Sequence, residues 1–198
     1  MDAEIGVDNS HTEMHHDLED LIAVLGRFRS HLPLVEQGAD IIVGSLRAGG
    51  KILTCGNGGS AADAAHMSEE LVGRYKGNRR SLPAVCLSVD GPLLTCIGND
   101  YGFDAIFSRQ IEGLGKPGDV LVTFSTSGNS RNILLALEAA RSAGLRTISL
   151  IGKEGGKARG LSDLDIIIPS DVTARIQEVH TFVMHCWLER IESEFPPA

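Results

Sequence analysis

Apolar residues recur at helical spacing from His16 to about Arg29, where Leu18, Leu21, Ile22, Leu25 and Phe28 share one face, and the pattern repeats from Leu34 to Leu46 after Pro33. Beyond Lys51 the period changes. Ile52 to Thr54 is a short apolar run that reads as a buried strand, and Gly56, Asn57, Gly58 and Gly59 turn it into a helical pattern. Further apolar runs at Pro83 to Ser88, Asp119 to Phe124, Thr147 to Ile151 and Asp165 to Pro169 predict four more strands. Helical stretches lie between them: a helix or turn at Pro92 to Ile97, a pattern resumed from Ile106 to Leu114, and an amphipathic helix from Asn132 to Ala143. Asn99-Asp100-Tyr101-Gly102 breaks the pattern, and a long helix from Ala174 to about Glu194 closes the chain.

Strands alternating with helices at this spacing define an α/β fold, a doubly wound parallel sheet of five strands with helices on both faces and two helices ahead of the first strand. Ligands of such sheets bind beyond the carboxyl ends of the strands, where two unusual loops fall. The first is CGNGGS, in which Ser60 is the expected N-cap and Asp63 reaches back to it. Glycines at a helix N-terminus let backbone N–H groups approach an anion, a pattern that an ordinary tight turn also satisfies. It is neither a P-loop nor G-x-G-x-x-G. The second loop, Ser125-Thr126-Ser127-Gly128-Asn129-Ser130, carries four hydroxyls just ahead of a helix, a set that also serves as caps and turns.

His66 and Glu70 are four residues apart on the helix after the first loop, so they share a face and can chelate a metal or form an acid/base pair. On the last helix His180 and His185 point about 140° apart, so only one of them can face a given site and the other is structural. Gln177 and His185 point within about 80° of each other but stand about 12 Å apart along the axis.

The 198 residues, 42% hydrophobic, suffice for one sizeable core. A formal charge of −8 offers no basic surface for nucleic acid. Cys55, Cys86, Cys96 and Cys186 show no C-x-x-C spacing and fit a reducing cytoplasm. No apolar stretch approaches a membrane span. Residues 1–14 are expected to be a disordered N-terminus, whose His11, with His15 and His16 just beyond it, could bind metal adventitiously, and 15–198 a single domain with an N-terminal helical extension. The broad apolar faces of the first helices make packing on another subunit the expectation. A further glycine-rich turn, GKEGGKARG, follows the fourth strand.

Together, CGNGGSAADAAHMSEELVGRY, IGNDYGFDAIFSRQ, STSGNS and TARIQEVHTFVMH resemble the phosphoheptose isomerase family, sedoheptulose 7-phosphate isomerases built on the sugar isomerase (SIS) domain, a flavodoxin-like fold. The resemblance spans nearly all of the chain beyond the first dozen residues. It implies an aldose–ketose isomerase that makes D-glycero-D-manno-heptose 7-phosphate through an enediol, the first step toward nucleotide-activated heptose for lipopolysaccharide core or other heptose glycans. It further implies zinc at His66, Glu70, Gln177 and His185, with Glu70 and His185 carrying the acid/base chemistry. Substrate contacts are implied at Asn57, Gly58, Gly59, Glu70, Asn99, Asp100, Ser125, Thr126, Ser127, Ser130 and Gln177, in a homotetramer with sites at subunit boundaries. Two rival readings are a non-catalytic SIS-domain sugar-phosphate binder or replication-initiator adaptor, and an isomerase of another phosphosugar. The adaptor would have no need of His66, Glu70, Gln177 and His185 together.

Overall fold

The computed structural model describes residues 9–196. Two helices, α1 (Asn9–Phe28) and α2 (Leu32–Arg47), lead into strand β1 (Ile52–Gly56). The chain continues through α3 (Gly59–Val72), β2 (Ala84–Cys86), α4 (Gly91–Tyr101), α5 (Ser108–Leu114), β3 (Val120–Ser125) and α6 (Arg131–Ser142). It ends with β4 (Arg146–Ile151), β5 (Leu164–Ile167) and α7 (Thr173–Glu194). The strands form one parallel sheet in the order β2-β1-β3-β4-β5, as the alternating pattern predicts. The order reverses between β1 and β3, so the two loops singled out in the sequence emerge side by side.

Every residue of β1 and β3 is buried, because helices cover both faces of the sheet. Alternate residues feed two cores. Ile52, Val120, Val122 and Phe124 pack with α2, α3 and α7, whereas Leu53, Cys55 and Leu121 pack with α5 and α6. Trp187 on α7 is fully buried, donates its indole N–H to the Val35 carbonyl at 2.8 Å, and lies so close to α2 that a Cβ on Gly38 would meet its ring at 2.8 Å. Glycine there lets α7 dock, and burying a side chain of this size stabilises by about 3 kcal/mol.

Three local expectations need correction. Helix α1 starts at Asn9, so residues 9–14 of the stretch expected to be disordered are helical, while 1–8 lie outside the described residues. Once packing further along has nucleated a helix, adding polar turns to its end costs little. Ser60 does not cap α3. The cap position is Gly58, at φ 57, with no side-chain cap bond, and Asp63 is engaged across the interface with α7 instead. The break expected at Asn99-Asp100-Tyr101-Gly102 falls only at its last residue: α4 extends past Ile97 to Tyr101 and ends at Gly102, at φ 85. A single glycine in the left-handed region stops the helix more effectively than the polar residues before it.

Candidate active site

Helices α3 and α7 both start at the carboxyl edge of the sheet and run side by side in the same direction. Gly59 abuts the Gln177 amide, Asp63 accepts a hydrogen bond from the Thr181 hydroxyl at 3.0 Å, and the rings of His66 and His185 stand 5.4 Å apart, edge to face. Glycine at position 59 lets the starts of the helices approach, since a Cβ there would stand 2.4 Å from the Gln177 amide. The register of the two helices places His66, Glu70 and His185 on one surface. His66 Nε2 lies 3.3 Å from Glu70 Oε1, and Tyr75 stacks on His185 with centroids 5.8 Å apart. The donor atoms of His66, Glu69 and Glu70 lie within 4.8 Å of one another, which adds Glu69 to the residues the sequence singled out.

Asp63 joins the two helices at the midpoint of this register. Its Oδ2 is buried with no hydrogen-bond partner among the described residues. Burial is the main influence on its carboxyl and raises its pKa, against the lowering effects of the Thr181 hydroxyl and nearby His66. Arg79, whose side chain is almost wholly buried, donates to the carbonyls of Glu70 at 2.6 Å and Leu71 at 2.9 Å and so holds the end of α3 that carries the carboxylate.

Gln177 stands apart from this cluster. Its amide rests on Gly59, seven residues before His66, which is roughly 10 Å along the helix. His180 faces inward instead. It is fully buried beside Phe124, with centroids 5.9 Å apart, and neither ring nitrogen has a hydrogen-bond partner among the described residues. Burial pushes its pKa down from 6.5 to about 3. The neutral ring is therefore stabilising above pH 6.5. Acidification from 6.5 toward 3 protonates the unfolded chain first, and stability falls by an amount on the order of a few kcal/mol. Thermal melts from pH 7 to 4 should fall less steeply for His180→Phe than for the unaltered protein, and equal slopes would refute the assignment.

At the edge of the sheet the two loops meet in a small cleft lined by Asn57, Ser60, Phe124, Ser125, Thr126, Ser127 and Ser130. Asn57 and the buried Asn132 exchange a reciprocal pair of amide hydrogen bonds, both 2.9 Å, that tie the first loop to the start of α6. This pair takes one donor and one acceptor of the Asn57 amide. Ser125 Oγ accepts from Gly128 N–H at 3.0 Å and Ser127 Oγ from Asn129 N–H at 3.2 Å, so each hydroxyl proton stays free to donate outward. The exposed N-terminal residues Gly58 and Gly59 add backbone donors with no intrahelical acceptor. Ser60 lines the cleft, a role hidden in the sequence because its position also suits a cap. Asn99 and Asp100 do not reach it. They are exposed on α4, where Asn99 Nδ2 donates to Asp100 Oδ1 at 2.7 Å.

A parallel sheet with an anion-type cleft at its switch point and an imidazole–carboxylate cluster beside it defines a sugar-phosphate-handling α/β domain, and residues 18–152 match the SIS domain family. The chain is 54% identical over 160 residues, covering 81% of it and 85% of the relative, to the phosphoheptose isomerase of Akkermansia muciniphila. The solved phosphoheptose isomerase structures from Francisella tularensis and Neisseria gonorrhoeae superpose with TM-scores of 0.90 and 0.86. They are 35% and 39% identical and cover 93% and 92% of this chain and 98% of each of theirs. This chain belongs to the phosphoheptose isomerase family.

Proposed function

We infer that the protein is an aldose–ketose isomerase that converts sedoheptulose 7-phosphate to D-glycero-D-manno-heptose 7-phosphate, supplying heptose biosynthesis. The observation that carries this reading beyond family membership is the pairing of a hydroxyl-rich anion cleft with a separate acid/base cluster. The two are offset along α3 by the roughly 10 Å between Gly59 and His66. That offset suits an extended seven-carbon sugar, with phosphate held at one end and C1 and C2 presented at the other.

Isomerisation moves a proton between C1 and C2 and shifts another between their oxygens, through a planar enediol. Glu70 and His185 divide the work, one removing the carbon-bound proton and the other serving the oxygens. Neighbours orient both groups: Tyr75 stacks on the His185 ring, and Arg79 holds the Glu70 backbone. The cleft anchors the phosphate and limits the reacting carbons to one orientation.

The mixed nitrogen and oxygen donors at His66, Glu70 and His185 fit a divalent ion such as zinc, with Glu69 close by. Bound there, zinc would polarise the sugar oxygens and stabilise the charge that develops on them. For Gln177 to join the set, its side chain must turn away from Gly59.

Homotetramer assembly fits the apolar side chains that α1 and α4 leave outward: Leu18 and Ile22 on the first, Leu93 on the second, with Tyr101 and Phe103 at and beyond its end. Asn99 and Asp100 would then serve a neighbouring subunit's site. A solution mass of four chains is the expected result, and a monomer would remove this role. Among the described residues, no helix is long and apolar enough to cross a membrane.

A panel of phosphorylated ketoses of five to seven carbons tests the substrate assignment. The seven-carbon ester should give the highest kcat/KM, and preference for a shorter one would overturn it. Replacing Ser125 and Ser127 together with Ala should raise KM for the heptulose phosphate by about tenfold or more, since each lost hydrogen bond to a charged group is worth about 1.5–3 kcal/mol. Unchanged KM would take this loop out of the site.

A further inference from the structure

The glycine-rich turn after β4 has no part in the chemistry so far described, yet it is bonded to the hydroxyl loop along most of that loop's length. Gly152 N–H donates to the Ser125 carbonyl at 3.0 Å, Ala158 N–H to the Gly128 carbonyl at 2.9 Å, and Lys157 N–H to Asn129 Oδ1 at 3.1 Å. Asn129 Nδ2 in turn donates to the Ser127 carbonyl at 2.9 Å. The segments touch backbone to backbone. A Cβ on Gly156, which sits at φ 55, would stand 2.4 Å from the Ser127 carbonyl oxygen. One on Gly128, at φ 62, would stand 1.9 Å from that of Gly155. On Gly152 it would stand 2.4 Å from that of Thr126. Contacts under 3 Å require something to move, and at Gly156 and Gly128 the nearest obstacle is main chain, which cannot swing aside as a side chain can; at Gly152 the Ile176 side chain stands as close as the carbonyl.

We propose that residues 152–158 are the positioning element of the phosphate-anchoring loop, with Gly156 as the residue whose missing side chain lets the two segments lock. The proposal rests on the reading of Ser125–Ser130 as that anchor. The N–H groups of Gly128 and Asn129 fix where the Ser125 and Ser127 hydroxyls sit, and those two residues are the ones the turn grips. A loop held in this shape before the substrate arrives avoids the ordering cost that a free loop would bear on binding. The turn contributes no side chain to the cleft lining. Its influence therefore falls on affinity for the phosphate and leaves the proton transfers at Glu70 and His185 alone.

The experiment compares Gly156→Ala with Gly160→Ala in the full-length, metal-loaded enzyme. Gly160 also has a positive φ, 80, but a Cβ there meets nothing within 4 Å, so it reproduces the backbone strain without the collision. KM and kcat are measured with the phosphorylated heptulose, along with the inhibition constant of inorganic phosphate as a competitive inhibitor. Gly156→Ala should raise both KM and the phosphate constant by about tenfold, with kcat within about threefold of the unaltered enzyme, and Gly160→Ala should change neither. Unchanged constants in Gly156→Ala, an equal effect of Gly160→Ala, or a fall in kcat with an unaltered phosphate constant would each overturn the proposal. Should Gly156→Ala fail to fold, Asn129→Ala applies the same test. It removes the exposed side chain that links Lys157 to Ser127, and an unaltered phosphate constant again refutes the brace. If replacing Ser125 and Ser127 with Ala leaves KM unchanged, the anchor reading fails and takes this proposal with it. Failure of the glycine variants alone removes only the brace.

Discussion

Glu70→Gln and His185→Ala are each expected to lower turnover by a factor of at least about 100, the range associated with losing a positioned acid or base. His180→Ala should cost far less at the chemical step. The basis is the register of α3 and α7, which brings the His66 and His185 rings to 5.4 Å with Glu70 at hydrogen-bond distance from His66, while His180 is turned into the core. Glu70→Gln keeps the size of the side chain and removes its charge and basicity, so its effect reads proton transfer and metal ligation more than packing. Kinetics on folded variants decide the matter, with circular dichroism to verify the fold. Full turnover in His185→Ala with none in His180→Ala would reverse the assignment on α7.

Chelation is expected to abolish activity without unfolding the chain, and zinc to restore it. The proposed donors lie half-buried where two helices meet, and the apolar cores of those helices pack without them, so the fold should not need the ion. Affinity is measured by competition with a zinc indicator, and His66→Ala should weaken it. Full turnover in verified metal-free protein would leave Glu70 and His185 as a purely organic acid/base pair.

The five strands and their order of appearance were legible because a doubly covered parallel sheet demands uninterrupted apolar runs, and those are rare elsewhere in the chain. The two loops were legible for a related reason: glycine and hydroxyl clusters at strand ends are costly unless they are used. What escaped was set by contacts between distant segments. Ser60 reads as a cap until its place in the cleft is seen, and Asp63 reads as that cap's partner until Thr181 arrives from α7. The Asn57–Asn132 pair joins residues 75 apart and leaves no local trace. Nothing in the spacing of GKEGGKARG says which loop it lies against. The angular argument on α7 did separate His180 from His185, because helix geometry is fixed by the backbone alone.

None of the seven residues lining the cleft is lysine or arginine. A dianion would be held there by hydroxyls, amides and the starts of α3 and α6, in a protein whose net charge of −8 repels it at a distance. Neutral dipoles act only at contact and only in the right direction. Such a cleft would distinguish a correctly seated phosphate ester from stray anions by geometry rather than by charge, and would let a product carrying the same phosphate leave without first breaking an ion pair.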